Sequence, residues 1–423
     1  SEDVLARFDA YGWHTQRVSD GEDVAAIEAA RADERPSIIS VKTIIGAGSP
    51  NKAGTHKVHG APLGADEVAA TKAALGFDPE RSFDIPPEVL GHFREATADG
   101  EQLVAEWEQR LEAYTAAFPS EGAELRRRID DTLAEGWDAG LPWYTPEDDA
   151  IATRNASQNA ISGLKDGVPE LIGGSADLSG SNLTDMADGG VFSATESGRN
   201  IRYGVREHAM GGIANGIAYH GGLLPFAATF LPFSDYMRGS VRLAALSGLQ
   251  VIYVWTHDSV GVGEDGPTHQ AVEHYAALRA IPGLTFVRPG DPNESSAAWA
   301  LAVEHRSGPV AMVFTRQKLP VLPGTAEHAR DGVRAGGYVL AEASAPDGTA
   351  TAPEIILLAT GSELHLAMGA RELLTAEGIR ARVVSMPSWE RFEAQAAAYR
   401  DEVLPPAVTA RVSIESGVSF GWD

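Results

Sequence analysis

Short apolar runs rich in β-branched residues alternate with longer helical patterns along the whole chain of 423 residues. This alternation is typical of parallel strands joined by crossover helices, and it constrains the fold more than any other feature. We therefore predict an α/β fold made of consecutive parallel-sheet domains. The hydrophobic content of 43% is enough to fill several cores, and the length suggests two to four domains.

The patterns group into three blocks, residues 1–118, 119–334 and 335–423. The first contains two strand patterns, a Gly- and Pro-rich loop and a charged connecting helix. The second contains the longest series of strands, and the third stops before a usual α/β domain would be complete. Because the chain also begins without Met, we expect the first and last domains to be incomplete. The buried-type strands of the second block are "ELIGG" (170–174), "LLPFAATF" (223–230), "QVIYVWT" (250–256), "LTFVRPG" (284–290) and "PVAMVFTR" (309–316).

Composition excludes several classes of function. The 34 Lys and Arg against 59 Asp and Glu give a net charge of −25, which disfavours nucleic acid as a partner. The absence of cysteine excludes disulfides, thiolate nucleophiles and Cys-ligated zinc. No apolar run approaches the roughly 20 residues of a membrane span, and no signal peptide is visible. We therefore predict a cytoplasmic protein with no membrane partner.

Polar clusters follow four of the predicted strands. Ligands of parallel sheets bind at the carboxyl ends of the strands, so we expect these clusters to line one crevice. The clusters are Asp177 with Ser181, the stretch 256–270, Arg288 with Asp291, and Arg316.

The stretch "THDSVGVGEDGPTHQ" (256–270) is the densest of these clusters. The spacing of His257 and His269 does not match a helical pair of metal ligands, which disfavours a metal site. A solvated surface loop is the second alternative. We predict a helix start with Asp265 at the N-cap and His269 in the first turn, where an anion or polar substrate would bind.

Glu207 begins a helical pattern that is unusually rich in Gly and Ala, "EHAMGGIANGIAYHGG". Glycine costs about 1 kcal/mol in a helix interior, so we expect this helix to pack closely against another backbone, such as that of a second subunit. Two interpretations of Glu207 remain open. It either stabilises the helix dipole or, if buried, acts as an acid with a raised pKa.

Phe230, Phe233 and Tyr236 lie together at a strand–helix junction, a pattern more typical of a core than of a cofactor site. In "HKVH" (56–59), His56 lies among lysines, which suits a phosphate better than a metal cation.

Arg154 and Arg316 are isolated basic residues. Either could form a surface salt bridge of little energetic value, or bind a phosphate through two parallel hydrogen bonds. Arg316 follows a strand, which favours the second alternative for it.

Together, the long polar segments resemble transketolase. They lie in the order found in that family and extend over nearly the whole chain. The resemblance implies thiamine diphosphate and a divalent cation such as Mg²⁺ as cofactors. It also implies transfer of a two-carbon ketol unit from a ketose phosphate to an aldose phosphate in the pentose phosphate pathway, and a homodimer with the cofactor between subunits. The segments are "GSPNKAGTHKVHGAPLG", "TRNASQNAI", "GGSADLSGSNLT", "YGVREHAM", "PFAATFLPFSDYMRGSVRLAAL", "THDSVGVGEDGPTHQ" and "TRQKLP".

The resemblance also implies roles for individual residues. Glu207 matches the glutamate that bonds the aminopyrimidine of the cofactor and holds its proton. Phe233 matches the aromatic residue stacked on the pyrimidine, with Phe230 and Tyr236 beside it in that pocket. His269 matches a histidine near the reactive carbon.

The remaining matches concern mainly the substrate. His56 matches a histidine that contacts both cofactor and substrate, so the implied catalytic residues are Glu207, His269 and His56. Asp265 matches a residue that binds a substrate hydroxyl, and Asp177 lies beside the cofactor pocket. The implied phosphate-binding set is Arg154, Ser181, His257 and Arg316.

One departure from the family is large. The Gly-Asp-Gly…Asn segment that holds the metal and the diphosphate has no match in this chain, so we predict no metal ligand here. We expect the chain alone to be inactive, or to be a subunit that needs a separate partner. A dihydroxyacetone synthase-like enzyme is the nearest alternative, and a metal hydrolase using His and Asp is a more distant one.

Overall fold

The computed structural model describes residues 2–29 and 33–422. The chain divides into two compact units, Ser1–Arg110 and Leu111–Asp423. No helix in the described part of the chain is long and apolar enough to cross a membrane.

The first unit contains a parallel pair of strands, β1 (His14–Val18) and β2 (Ser37–Val41). The helix after β1 begins at Val24, because the Asp23 carboxylate accepts a hydrogen bond from the Ala26 backbone amide at 3.0 Å and caps it. The helices that begin in this unit are α1 (Val4–Ala10), α2 (Val24–Glu28), α3 (Ala65–Ala74) and α4 (Pro87–Ala117).

The second unit contains a six-stranded parallel sheet with strand order β5-β4-β6-β7-β9-β8. Each predicted strand of the second block is present, within about two residues at most boundaries. Two short antiparallel strands, β3 (Ile151–Ala152) and β10 (Lys318–Leu319), pair separately. The six strands are β4 (Leu171–Ser175), β5 (Asn200–Arg202), β6 (Leu224–Phe230), β7 (Ile252–Thr256), β8 (Thr285–Val287) and β9 (Val310–Phe314).

Helices cover both faces of this sheet, so alternate residues of one strand enter different cores. Ile252 and Val254 of β7 pack with Trp299 in one core, whereas Tyr253 and Trp255 lie in the other. The helices are α5 (Pro119–Ile129), α6 (Thr153–Leu164), α7 (Ser179–Asn182), α8 (Glu207–His220), α9 (Arg238–Leu246), α10 (His274–Arg279) and α11 (Pro292–Glu304).

A four-stranded sheet with order β11-β13-β12-β14 follows in the same unit. Three of its strands are parallel, but β11 is antiparallel to β13 and was not predicted from the sequence. The α/β fold is confirmed, with this mixed sheet as a refinement. The strands are β11 (Tyr338–Ala341), β12 (Ile355–Ala359), β13 (Ala381–Ser385) and β14 (Arg411–Ile414), and the helices are α12 (Thr325–Ala335), α13 (Leu364–Ala376), α14 (Trp389–Glu393) and α15 (Ala397–Val403).

Candidate functional site

The carboxyl edge of the six-stranded sheet brings together most of the predicted site residues. Thr256 at the end of β7 pairs in register with Phe230 of β6 on one side and Phe314 of β9 on the other. His257 and Arg316, which follow β7 and β9, therefore emerge at the same edge as the aromatic residues that follow β6.

A chain of buried hydrogen bonds fixes this edge. The side-chain Nδ2 of Asn182 donates to the Ser175 hydroxyl at 2.7 Å. The Thr256 hydroxyl donates to the side-chain Oδ1 of Asn182 at 2.8 Å. Because the single Thr256 proton is used there, the 2.9 Å contact to His257 must run from the Nδ1–H of the histidine to the Thr256 oxygen. His257 Nε2 is then the acceptor nitrogen. Asn182 and Thr256 were missed at the sequence level, although each is a polar residue at the edge of an apolar strand.

His257 is neutral in this surrounding. Its side chain is buried, and its pKa is lowered to about 4, first by burial and next by the positive charge of Arg154. Its backbone is left-handed, with φ 61, which is uncommon for a residue other than glycine. The ring of Phe230 lies 3.8 Å from the His257 ring, centroid to centroid.

Two arginines supply positive charge at this edge. Arg154 Nη1 donates to the Ser181 carbonyl at 2.8 Å, and the pKa of Arg154 is lowered by burial and then by the charge of Arg316. Arg316 Nη1 donates to the Val262 carbonyl at 2.7 Å, and Nη2 contacts a Glu264 carboxylate oxygen at 3.1 Å. The loop after β7 thus holds Arg316 on two sides.

The predicted helix start within residues 256–270 is wrong. Two single 3₁₀ turns, Gly263–Asp265 and Pro267–His269, replace it, and α10 begins only at His274. Gly266 separates the turns with φ 78, so the helical conformation cannot continue through it. Asp265 therefore caps no helix, and the positive charge that could hold an anion here comes from arginine side chains rather than from a helix dipole.

Asp265 lies instead beside Arg316, with its Oδ2 3.9 Å from Arg316 Nη1. That buried oxygen makes no hydrogen bond to any residue that the structure describes. It is available to accept a hydrogen bond from a ligand.

Five rings form a continuous cluster at the end of β6. The Phe233 ring lies 5.5 Å from Phe230 in a stacked arrangement and 5.1 Å from His269 edge-on. Phe230 is buried, which agrees with the core interpretation, but Phe233 is only partly covered and Tyr236 is 67% exposed. The cluster, which we call the ring cluster, consists of Phe230, Phe233, Tyr236, His257 and His269.

Glu207 is the first residue of α8, which packs against β6 and the 3₁₀ segment Leu231–Met237. It is buried, at 9% exposure, and no donor among residues 2–29 and 33–422 makes a hydrogen bond to its carboxylate. The predicted close helix packing occurs at Gly211, where an added Cβ would lie 2.7 Å from the Cβ of Ser240 on α9.

Asp177 and Ser181 lie beyond the end of β4 and line a small cavity of about 230 Å³ together with Arg202. Asp177 is exposed and adopts φ 59. The Arg154–Ser181 hydrogen bond joins this cavity to the arginines described above.

His56 belongs to the first compact unit, where it is exposed and begins a 3₁₀ turn, His56–Val58. The loop before this turn is organised by Glu67, whose carboxylate accepts hydrogen bonds from the Ser49 hydroxyl and from the Asn51 amide at 2.9 Å. That His56 shares a site with the other residues stays a prediction.

Arg288 and Asp291 do not line the crevice, so the expectation that all four strand ends meet there is wrong for β8. Both side chains are fully buried. Arg288 pairs with Asp258 and Glu363, and Asp291 caps α11 by accepting from the Glu294 amide at 2.8 Å. These contacts join the two sheets of the second unit. No group of three or more His, Asp and Glu side chains able to hold a metal occurs in the described residues.

Three family models match the chain in succession. They are the transketolase thiamine diphosphate-binding domain over residues 1–134, the transketolase pyrimidine-binding domain over 149–321 and the transketolase-like C-terminal domain over 336–423. The pyrimidine-binding model covers every candidate site residue except His56.

Whole-chain comparisons agree with these models. A transketolase from Geobacillus stearothermophilus is 53% identical over 430 residues, covering all of this chain and 64% of the relative. A chloroplastic transketolase from Craterostigma plantagineum is 47% identical, covering all of this chain and 81% of the relative. A transketolase from Pichia stipitis, solved in complex with sedoheptulose 7-phosphate, superposes with a TM-score of 0.93 at 44% identity and covers 63% of that structure.

The fold and the site define a class of protein, an α/β protein with a polar crevice at the edge of a parallel sheet. Within that class, the chain belongs to the transketolase family, as its sequence resemblance indicated. It spans less than two thirds of the length of the bacterial relatives, 64% of one and 62% of another. A further solved structure, of an inactive tetramer of a split-gene transketolase, is 27% identical with a TM-score of 0.52, covering 64% of this chain and 82% of that one.

Proposed function

We propose that the protein containing this chain is a transketolase that moves a two-carbon ketol unit from a ketose phosphate to an aldose phosphate. Phe230 carries the proposal. Its ring contacts His257, next to the two arginines, and also contacts Phe233 and His269. A charged pocket suited to a sugar phosphate and an aromatic surface suited to a flat heterocycle therefore meet at one residue.

The buried Glu207 carboxylate and the half-covered Phe233 ring fit a bound aminopyrimidine. A carboxylate without a protein donor is costly to bury, so it favours a ligand that brings an N–H group. The partly covered Phe233 ring offers a stacking surface, with Phe230 and Tyr236 beside it. Thiamine diphosphate, when bound, supplies the carbanion chemistry that side chains lack. Glu207 would hold the proton at the pyrimidine, and His269 would lie on the substrate side of the ring cluster.

Arg154, Arg316 and His257 would bind the phosphate, with Ser181 beside them. Arginine suits phosphate because it donates parallel hydrogen bonds at fixed geometry. His257 presents an acceptor nitrogen and is neutral, so it must take up a proton before its Nε2 can donate to a phosphate oxygen. An incoming dianion favours that protonation. Asp265 Oδ2, which accepts no hydrogen bond from any described residue, would accept one from a substrate hydroxyl. We also propose that Asp177 contacts the cofactor and that His56 contacts both the cofactor and the substrate.

A homodimer is part of the same proposal. The outer surface of α8 carries Gly212 and Gly216, and a Cβ added to either would meet nothing within 4 Å in this chain. Ile213 and Tyr219 are exposed on the same helix, at 48% and 79%, and Leu246 on α9 at 70%. Small residues flanked by exposed apolar ones suit close approach of a second copy. Light scattering of the purified protein would test this, and a monomer at micromolar concentration would refute it.

The resemblance also leads us to propose a divalent cation and a cytoplasmic location. The described residues do not form a metal site, so no role here is assigned through the cation. Loss of activity on chelation and recovery with Mg²⁺ would support the cation, and cell fractionation would test the location.

The test of the function is turnover of xylulose 5-phosphate with ribose 5-phosphate in the presence of thiamine diphosphate and Mg²⁺. The proposal expects ketol transfer by the protein containing this chain. Turnover with formaldehyde as the preferred acceptor would instead support a dihydroxyacetone synthase-like enzyme. We expect the chain assayed alone to be inactive, because no group of described residues can hold the metal that the resemblance implies. No transfer by the whole protein to either acceptor would overturn the proposal.

A further inference from the structure

The carboxyl edge of the four-stranded sheet is filled by two arginines from the neighbouring six-stranded sheet region. Arg288 follows β8, and Arg279 is the last residue of α10. Both reach acidic residues of the four-stranded sheet region, Glu363 and Glu415. We call the set Asp258, Arg279, Arg288, Glu363 and Glu415 the inter-sheet network.

Arg288 is the centre of this network, and its guanidinium is fully buried. Nη1 donates to both the carbonyl and the hydroxyl oxygen of Thr360 at 3.0 Å, and it also contacts Glu363. On its other side, Nε donates to Asp258 Oδ2 at 2.9 Å. Arg288 is therefore the residue that connects the four-stranded sheet region to the loop after β7.

The fit around Arg288 is close. Gly361 has φ 55, and a Cβ there would lie 2.5 Å from the Arg288 guanidinium carbon. The guanidinium also lies over the Tyr275 ring, 4.6 Å from its centroid. These contacts leave Arg288 little freedom, so it can hold Asp258 at a fixed position.

Asp258 is adjacent to His257, which has the strained left-handed backbone described above. Such a conformation persists only when its surroundings hold it, and it typically costs about 1–3 kcal/mol. On one side of His257, Thr256 is hydrogen-bonded to Asn182 and also to the His257 imidazole. On the other side, Asp258 is held by its ion pair with Arg288. His257 is thus fixed from both sides, and one side depends on the other sheet.

Arg279 makes a comparable buried pair with Glu415 but does not contact Asp258. It donates to both Glu415 oxygens, at 2.7 and 2.8 Å, and its guanidinium carbon lies 3.9 Å from the Trp389 ring centroid. None of these contacts involves residues 256–270. Arg279 therefore offers a matched control that joins the same two sheet regions but bypasses the loop.

We propose that Arg288 is a positioning residue that, through Asp258, holds His257 and the turn after it in the conformation that receives the phosphate end of the substrate. The four-stranded sheet region is then a required support of the substrate pocket, since it supplies the carboxylates and the Thr360 oxygens that fix Arg288. The substrate part of this inference rests on the proposed function, whereas the positioning part concerns the free protein.

The first test is amide hydrogen exchange of residues 257–265 in the free protein, for Arg288→Met and Arg279→Met. We expect exchange in this segment to rise at least about tenfold in Arg288→Met, because a local anchor is lost. Arg279→Met should accelerate exchange near Glu415 and leave residues 257–265 unchanged. Equal exchange of residues 257–265 in both variants and the parent would overturn the positioning role.

If Arg288→Met does not fold, Asp258→Asn is the variant to measure. It retains the shape of the side chain and removes only the charge of the pair. We expect a smaller rise in exchange at residues 257–265, because the asparagine oxygen can still accept from Arg288 Nε but the charge of the pair is lost. Unchanged exchange would equally overturn the proposal.

Kinetics provide the second test, in the whole protein. For Arg288→Met or Asp258→Asn, we expect KM for xylulose 5-phosphate to rise by about tenfold or more with kcat within about threefold. Arg279→Met should change neither. A fall in kcat with no change in KM would refute the substrate part. If no variant or parent transfers a ketol unit, the proposed function fails, while the exchange result still decides the positioning role.

Discussion

The two carboxyl edges of the second unit occupy the same position in their sheets but are built differently. At the six-stranded edge, Asp265 Oδ2 and the Glu207 carboxylate accept no hydrogen bond from any described residue. Within the same part of the chain, His257 bonds through its Nδ1 and not through its Nε2. At the four-stranded edge, Glu363 and Glu415 are saturated by arginines, hydroxyls and backbone amides. The six-stranded edge can therefore receive a ligand, whereas the four-stranded edge is part of the core.

The difference shows that strand ends alone do not define a ligand site. A parallel sheet collects polar residues at its carboxyl edge in both cases. What distinguishes them is whether residues from elsewhere in the fold satisfy those groups. Arg288 does so for the four-stranded edge, and no corresponding side chain in the described residues pairs with Glu207.

The largest expected effect is at Glu207. If the open edge is catalytic, Glu207→Gln should lower kcat of the whole protein by about 10²–10⁴-fold, because the carboxylate that holds the proton is lost. The midpoint of thermal unfolding should not fall, since no hydrogen bond from a described residue to the carboxylate is removed.

Glu327→Gln is the matched control for Glu207, an exposed glutamate in the first turn of α12. It should have no effect on turnover. A loss below about tenfold, or about 1.4 kcal/mol of barrier, at Glu207→Gln would contradict its role.

The second prediction compares two glycines in left-handed conformations, one at each edge. Gly361→Ala should destabilise the protein by about 2–5 kcal/mol, combining backbone strain with overpacking against Arg288. Gly263→Ala should cost only the strain, about 1–2 kcal/mol, because its nearest neighbour is the flexible end of Arg316 at 3.5 Å. Urea unfolding measures both, and equal costs would remove the distinction between a packed and an open edge.

The third prediction concerns Arg316. Arg316→Ala should raise KM for phosphorylated ketoses by about 10–100-fold, as expected for loss of a charged hydrogen bond of about 1.5–3 kcal/mol. Non-phosphorylated ketoses should be turned over with unchanged KM. A similar rise for both kinds of substrate would mean that Arg316 supports the loop rather than the phosphate.

The smallest effect is a change in the pKa of His257, measurable by NMR. Its pKa should be about 4 in the free protein, below the ordinary value of 6.5. Arg154→Gln should raise it only partly, because burial, the larger cause, remains. Arg400→Gln, at an exposed site on α15, should leave it unchanged, and so serves as the control.

This pKa also fixes the sign of a pH effect on stability. Since the folded protein resists protonation of His257 and the unfolded chain does not, the free energy of unfolding should fall as pH drops from 6.5 towards 4. A His257 pKa near 6.5 would contradict the account of a buried, neutral imidazole.

Much of the sheet architecture could be predicted from the sequence, because buried parallel strands are short, continuous apolar runs. "VIYVW" and "AMVF" predict β7 and β9 on this ground. The short strand β5 and the antiparallel β11 were not predicted. β5 has only three residues, one of them polar and buried, and strand direction depends on the pairing partner rather than on composition.

The site was predictable where partners lie nearby in sequence or share a sheet edge, as for His257 and Arg316. Arg288 was misplaced because its partners, Glu363 and Glu415, lie 75 and 127 residues further along the chain. Asp265 was misplaced because Gly266, directly after it, adopts φ 78 and ends the turn. In both cases a tertiary contact or one backbone angle outweighed a reasonable local pattern.

The most direct test of the central claim is amide hydrogen exchange of the whole protein with and without ribose 5-phosphate, with thiamine diphosphate present. The account predicts new protection in residues 256–270, at the open edge. It predicts no change in residues 360–363, which the inter-sheet network already holds. New protection at residues 360–363 without any at 256–270 would contradict the account.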